Sequence, residues 1–411
     1  MQTSSPHASP RGYELKTVTL LTLGLGMVGL DRFIINPLFP VMQQSLGLDY
    51  RDLGLISAVL ALAWGLSSIV SGRLTDRVGF KVVLIPAMTV FSLLTCLTGL
   101  AGGLGSLLVI RAVMGLAEGA YLPASIVATI DASKPSRVGL NIGLQQMAQP
   151  AIGLGLGPLI AIGLLHMLPS WHYVFAVAAL PGLVLAFLLA RVVRPGPLAA
   201  TTRAHEGGPG WRAAATHRVV IVNTACMACY LTCLITLSTF MPSYLTDQLN
   251  LGLDTMGFVL AGQGVGSLIG TVAVPALSDR IGRKPAILGA LAIELVALWF
   301  LPSAGREPVV LFALLFLIIF MNAGVLAVTV GPLTNDGVPP AIAASAIGIV
   351  VGVGEIVGGA LAPAVAGMLA HAIGIAVIPR IALGAITIGT LIVAFGVLEP
   401  ARATAAPPSL H

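Results

Sequence analysis

Charge is what this chain has least of. Only 9% of its 411 residues are Asp, Glu, Lys or Arg, against about 25% in a typical soluble domain. With 57% hydrophobic residues, no soluble fold of this length could hide its apolar surface, so most of its solvent must be lipid. Cysteine is nearly as scarce: Cys96, Cys226, Cys229 and Cys233 all lie in apolar segments. The spacing Cys226-x-x-Cys229 resembles a metal or redox motif, but no strand, His or loop accompanies it. Small residues on a membrane helix are the better reading. The chain also lacks His-Glu-x-x-His, a P-loop and a nucleophile elbow, which argues against an enzyme. No metal or organic cofactor is expected, only protons as a coupling ion. The first 15 residues, MQTSSPHASPRGYEL, lack the apolar core and cleavage site of a signal peptide.

What the chain has in abundance is long apolar runs. A helix needs about 20 such residues to cross a bilayer. Twelve segments qualify: 17–38, 53–73, 82–101, 105–129, 139–166, 172–191, 218–245, 256–277, 285–303, 308–331, 342–370 and 376–398. The runs are continuous, not the short alternating segments of a spanning β-barrel. The predicted fold is an all-α membrane protein of twelve transmembrane helices in two pseudo-symmetric six-helix bundles. The first bundle covers 17–193 and the second 218–398. A polar linker, 194–217, joins them, and tails at 1–16 and 399–411 flank them.

Lysine and arginine set the orientation. With the N-terminus inside, sixteen of 21 basic residues fall on inner loops and tails, three (Arg51, Arg306, Arg380) fall outside, and Arg32 and Arg111 fall within spans. This predicts a multi-pass plasma-membrane protein, in the inner membrane if bacterial, with both termini cytoplasmic. It also accounts for the net charge of +5 without a nucleic-acid partner. A monomer in the lipid bilayer is expected.

Two loops repeat. GRLTDRVGFK (72–81) lies between spans 2 and 3, and PALSDRIGRK (275–284) between spans 8 and 9. Gly79 and Gly282 permit tight turns. Asp76 and Asp279 sit at helix ends, where each could pair with the other bundle and latch one face shut. Such repeats mark transporters built from two related halves. The pattern Gly72-x3-Asp76-Arg77-x-Gly79-x-Lys81, with its second copy Asp279-Arg280-x-Gly282-Arg283-Lys284, resembles the signature loop of the major facilitator superfamily. Phe80 departs from that signature, as do Pro275 and Ala276. The resemblance implies alternating access, with two bundles rocking around a site lined mainly by spans 1, 4, 7 and 10.

Ionisable residues inside spans are functional candidates by default. They are Asp31, Arg32, Arg111, Glu118, Glu294 and Glu355. At 1.5 Å per residue, Asp31 and Arg111 each lie about 10 Å from the outer surface, although their helices run oppositely. Glu118 lies two turns deeper on the face of Arg111. The four charges of Asp31, Arg32, Arg111 and Glu118 cancel. Protonating one acid leaves a net positive cavity that an anion can neutralise, and the planar fork of arginine suits a carboxylate. Two structural salt bridges between helices 1 and 4 are the plainer alternative.

The adjacent Asp31-Arg32 and the Arg111-x6-Glu118 spacing are similar to the anion:cation symporter family within that superfamily. The resemblance implies that Arg32, with or without Arg111, binds a substrate carboxylate and that Asp31 and Glu118 take protons. It also implies that Trp64 is a cavity aromatic. Phe33-Ile34-Ile35-Asn36 is more apolar than usual there, and span 7 carries no charge before Asp247, which favours a smaller or less polar acid than a sugar acid. Glu355, in GVGEIVGG, serves as a third proton site, a substrate hydroxyl contact or a structural hydrogen bond. Glu294, on a peripheral span, has no functional reading. Asn322, Thr329, Asn335, Tyr230, Thr232, Thr236, Gln145, Gln146 and Gln149 are unranked polar candidates. His166, His172 and His371 read as surface residues near outer span ends.

The function expected is proton-coupled symport of a small organic anion. The alternative is a proton-driven efflux antiporter, suggested by GLGLGPLIAIG (153–163), whose Gly-Pro run also suits close helix packing. Two arginines in the cavity favour the anion.

Overall fold

The computed structural model describes residues 11–195 and 209–397. Most of the two expected tails and the middle of the linker fall outside that range, as do the side chains of Arg73 and Asp76. Among the described residues, twelve helices have the length and apolarity to cross a membrane. They are α1 (Gly12–Leu46), α2 (Tyr50–Gly72), α3 (Phe80–Thr98), α4 (Leu104–Ala132), α5 (Pro135–Met167) and α6 (Trp171–Val192), then α7 (Arg218–Gln248), α8 (Leu253–Ile281), α9 (Arg283–Ser303), α10 (Pro308–Asp336), α11 (Ser345–Ile373) and α12 (Ile375–Gly396). Short connections make successive helices antiparallel. One face therefore carries the linker and both Asp-Arg-x-Gly turns (the linker face), and the opposite one is called here the far face.

Two boundaries differ from expectation. Helix begins at Arg11, inside the expected tail. Glu14 is buried and accepts bonds from Asn141 Nδ2 (3.1 Å) and the Lys134 amide (3.3 Å), which fixes this first turn against α5. Charge at Glu14 and Lys16 hides that docking from a hydropathy reading. The linker is also not irregular throughout, because Pro209–Thr216 forms a short helix that buries Ala214.

Proline shapes the interior. Pro37 has no N–H for the Phe33 carbonyl, and α1 breaks at Ile34, directly after the Asp31–Arg32 doublet. Widened π-helical turns interrupt α5 (Ala151–Leu156), α7 (Tyr244–Gln248), α10 (Thr329–Leu333) and α11 (Glu355–Leu361). Pro158, Pro242, Pro332 and Pro363 stand in or beside them. Such turns concentrate at functional sites.

The turns of the repeated loops need glycine, since Gly79 and Gly282 have φ of 84° and 104°. The lysines that follow each stitch a bundle together. Lys81 donates to the Ala190 carbonyl at the end of α6 (2.9 Å). Lys284 donates to Ala394 and Val397 at the end of α12 (2.8 and 2.9 Å). These lysines satisfy carbonyls that the last turn of a helix leaves without partners.

The bundles meet along α2 with α11 and along α5 with α8. Each crossing is made of glycines. A Cβ on Gly264 would stand 2.0 Å from Gly155 Cα, and one on Gly54 would stand 2.4 Å from the Pro363 carbonyl oxygen, beside Gly367. Gly155 belongs to the GLGLGP run, so close packing between bundles accounts for it. Because the blocking atoms are backbone, the neighbour cannot yield locally. Gly264→Ala is expected to lower the melting temperature of the purified protein by several degrees, in line with the roughly 1–3 kcal/mol of overpacking. Gly163→Ala on α5, where a Cβ meets nothing within 4 Å, should melt like the wild type.

Candidate functional site

The site lies where α1 and α11 face each other. Arg32 leaves the last turn before the α1 break and forms an ion pair with Glu355 of the opposite bundle, Nη2 to Oε2, at 3.1 Å. The two side chains are 8% and 11% exposed, so the pair is nearly enclosed. The rings of Trp64 and Phe33 lie 5.6 and 5.7 Å from the guanidinium carbon, within cation–π range. Glu355 is the first residue of the π-helical turn in α11. Its glycine neighbours divide the work. Gly358 lets the α7 backbone approach, since a Cβ there would lie 2.6 Å from the Ala228 oxygen. Gly359 leaves room for the Glu355 carboxylate itself, whose Oε2 would be 2.5 Å from a Cβ.

A cavity of about 280 Å³ opens below this pair. Its lining residues, among them Gln149, Met227, Thr271 and Val330, occupy the linker-side or middle parts of their helices, so the cavity opens to the linker face. Its walls are chiefly apolar: Leu154, Met227, Leu231, Leu234, Leu326 and Val330. Gln149, Ser267 and Thr271 are the uncharged polar groups, with Arg32 and Glu355 at the closed end. Beyond Arg32 a smaller pocket is lined by Asn36, Ser57, Thr239 and Arg111. Polar bonds between bundles seal it. Asn36 Nδ2 donates to the Ser238 carbonyl (3.0 Å) and the Thr239 hydroxyl to Ser57 Oγ (3.5 Å). Arg32 therefore sits between an open cavity and an enclosed one.

Asp31, Arg111 and Glu118 lie within the first bundle. Arg111 is level with Asp31, but its Nη1 donates to the Asp31 main-chain carbonyl (2.9 Å), not to the carboxylate. Both Asp31 carboxylate oxygens are buried without a hydrogen-bond partner among the described residues. The nearby Thr95 hydroxyl donates instead to Phe91 (2.9 Å). Glu118 is completely buried, both of its oxygens are likewise unpartnered, and it lines neither cavity. Of the expected cluster, Arg32 and Arg111 share the smaller pocket, Arg32 pairs with the other bundle, and Asp31 and Glu118 line neither cavity.

The expected latch can be followed only at Asp279, since the Asp76 side chain lies outside the described residues. Asp279 pairs with Arg283 of its own bundle, and Arg283 also reaches Asp336 at 3.7 Å. The bundles are apart on this face, so Asp279 meets its nearest cation one helical turn away. Gly72 has open space around it, and Arg77 is exposed. Glu294 is fully buried in the second bundle and accepts from Asn322 Nδ2 (2.9 Å) and Cys233 Sγ (3.5 Å), tying α9 to α10 and α7. Of the polar candidates only Gln149 lines the open cavity. Ser267, Thr271, Ser57 and Thr239 were missed, because small polar residues within an apolar run carry no signal of which way they face.

Two six-helix bundles facing one another across a cavity open to one side are the architecture of a secondary transporter. The chain belongs to the Major Facilitator Superfamily, whose profile matches residues 21–363 and 224–410. It is 29% identical to the hexuronate transporter of Bacillus subtilis over 66% of this chain and 65% of that protein. It is 28% identical to the 3-(3-hydroxy-phenyl)propionate transporter of Escherichia coli over 68% and 69% of the two chains. A probable 4-methylmuconolactone transporter of Cupriavidus pinatubonensis is 25% identical over 88% and 85%. Among solved structures, the nucleoside transporter NupG superposes with a TM-score of 0.78 at 13% identity, covering 93% of this chain and 99% of that one. An inward-facing bacterial homologue of the human lysosomal transporter Spinster gives 0.75 at 15%, over 94% and 96%.

The space at Gly359 makes the Arg32–Glu355 pair testable without touching either charge. Gly359→Ala is expected to push the carboxylate aside and to lower the melting temperature as much as Glu355→Gln does. Gly348→Ala on the same helix, with nothing within 4 Å, should leave it unchanged.

Proposed function

We propose that this chain is a proton-coupled symporter of a small organic carboxylate with an apolar body, working by alternating access. The observation that carries the reading is the Arg32–Glu355 ion pair at the closed end of the cavity. In the empty carrier Glu355 supplies the counter-charge of Arg32. An entering carboxylate takes that place and is held by the guanidinium fork. Displaced from its counter-ion, Glu355 takes up the coupled proton. One anion and one proton thus replace one ion pair with no change in net charge. The same exchange removes an ionic tie between α1 and α11, so loading also frees the bundles to rock about the glycine crossings. Asp31, backed by Arg111, and Glu118 are further proton stores within the first bundle.

Several features favour an organic acid. Relatives are named for hexuronate and hydroxyphenylpropionate, and a 4-hydroxybenzoate transporter of Pseudomonas aeruginosa is 26% identical over 43% of this chain. The apolar wall from Met227 to Val330 suits an aryl or alkyl body better than a polyhydroxylated one, and Gln149, Ser267 and Thr271 suit a single hydroxyl. Basic residues concentrate on the linker face, which makes that face cytoplasmic and the plasma membrane the expected site, with the protein acting as a monomer. The contact of Gly155 with Gly264 gives the Gly-Pro run a packing role and so weakens the motif argument for efflux antiport, the alternative, for which an export protein of Streptomyces glaucescens, 28% identical over 44% of this chain, still speaks.

Reconstituted protein should accumulate an aryl carboxylate such as a hydroxyphenylpropionate when the outside is acidified, and a hexuronate less well. Arg32→Ala should reduce uptake to background. Glu355→Gln, neutral at every pH, should keep carboxylate exchange but lose accumulation driven by the proton gradient. Glu118→Gln should weaken that coupling while permitting exchange. Transport of lipophilic cations with no carboxylate uptake would sink the reading, as would normal uptake by Arg32→Ala.

A further inference from the structure

The far face is held shut by polar ties between the bundles, and two of them are copies of each other. His166 Nε2 at the end of α5 meets Asp254 Oδ1 at the start of α8, at 2.7 Å. His371 Nδ1 at the end of α11 meets Asp49 Oδ2 just before α2, at 3.1 Å. Residue 166 answers to 371, and 49 to 254, each pair separated by 205 positions. The two-fold relation between the halves therefore carries one His–Asp pair onto the other. In both, the histidine lies in the last turn of a helix and the aspartate at the beginning of one. Asp49 is pre-aligned. Its Oδ1 accepts the Asp52 amide (2.9 Å) and its own amide bonds to Asp52 Oδ2 (3.1 Å), which leaves Oδ2 for His371.

We propose that these pairs form a duplicated clasp, strengthened by protons on the far face, that holds that face closed. Each histidine has its aspartate only while the bundles touch. With the far face open, water is its partner instead. Proton binding by the imidazoles and closure of the face therefore favour each other by the same factor. Histidine exchanges its proton between pH 5 and 8, so acid on the far face drives closure and alkali relaxes it. The groups facing His166 and His371 are Asp254 and Asp49. Asp52 lies next to the latter, and the Tyr50 hydroxyl bonds Asp247 at 2.7 Å as a neighbouring tie. Arg51, His172, Arg306, Glu307 and Arg380 share this face. All four clasp side chains are at least 39% exposed, so each pair should shift the equilibrium by roughly twofold to fivefold. High salt should weaken the response. The clasp does not depend on which solute is carried.

The test reads conformation, without substrate, in full-length protein in lipid nanodiscs. Spin labels at Gln44→Cys and Arg306→Cys, one per bundle on the far face, report the closed population by pulsed electron resonance. The background carries Cys96→Ser, Cys226→Ser, Cys229→Ser and Cys233→Ser. Lowering the pH from about 8.5 to about 5.5 should raise the ratio of closed to open by roughly fivefold or more in this background. In His166→Gln/His371→Gln the same step should change it less than twofold. Asp49→Asn/Asp254→Asn, which keeps a capping side chain at 49, should flatten the response equally. A full pH response in either double variant, or one of opposite sign in the background protein, would overturn the proposal. Because no transport is measured, such a failure leaves the substrate reading untouched.

Discussion

A guanidinium inside a bilayer needs a counter-charge, and Arg32 takes its own from the other half of the molecule. Carrying an arginine at mid-helix costs about 2.5–3.5 kcal/mol on insertion scales, so its partner becomes a fixed requirement of the fold. Much of the architecture serves that contact. Pro37 ends the first part of α1 just after the doublet. The π-helical turn of α11 starts at Glu355, Gly359 clears space for its carboxylate, and Trp64 covers the guanidinium. With Arg32 answered across the interface, Arg111 is left to brace α1 through the Asp31 carbonyl.

The second constraint is symmetry. The halves repeat their glycine-lined crossings, their positive-φ turns and their lysine stitches. The intramembrane charges do not repeat. The first bundle buries Asp31, Arg111 and Glu118, whereas the second buries Glu294 against Asn322 and Cys233. The repeated features are mechanical and the unrepeated ones are chemical, as expected when one scaffold is duplicated and a site is then built between the copies.

The twelve spans, the two halves and the level of Asp31 relative to Arg111 were legible because hydropathy and helical rise are local. Counting 1.5 Å per residue from opposite ends put Arg111 level with Asp31, and the two do touch, though through a carbonyl. The partner of Arg32 was not legible. Glu355 lies 323 residues away, and a π-helical turn rotates the face that α11 presents, so helical periodicity alone cannot say that Glu355 looks inward. The fate of Asp279 was hidden for another reason. Whether it reaches the other bundle depends on which face is open, a property of the conformation and not of the chain.

Lys81 and Lys284 each join the beginning of a bundle's third helix to the end of its sixth. Each half is thereby closed into a ring on the face where the halves stand apart. On that face each bundle is thus one fastened body and not a set of separate helix ends.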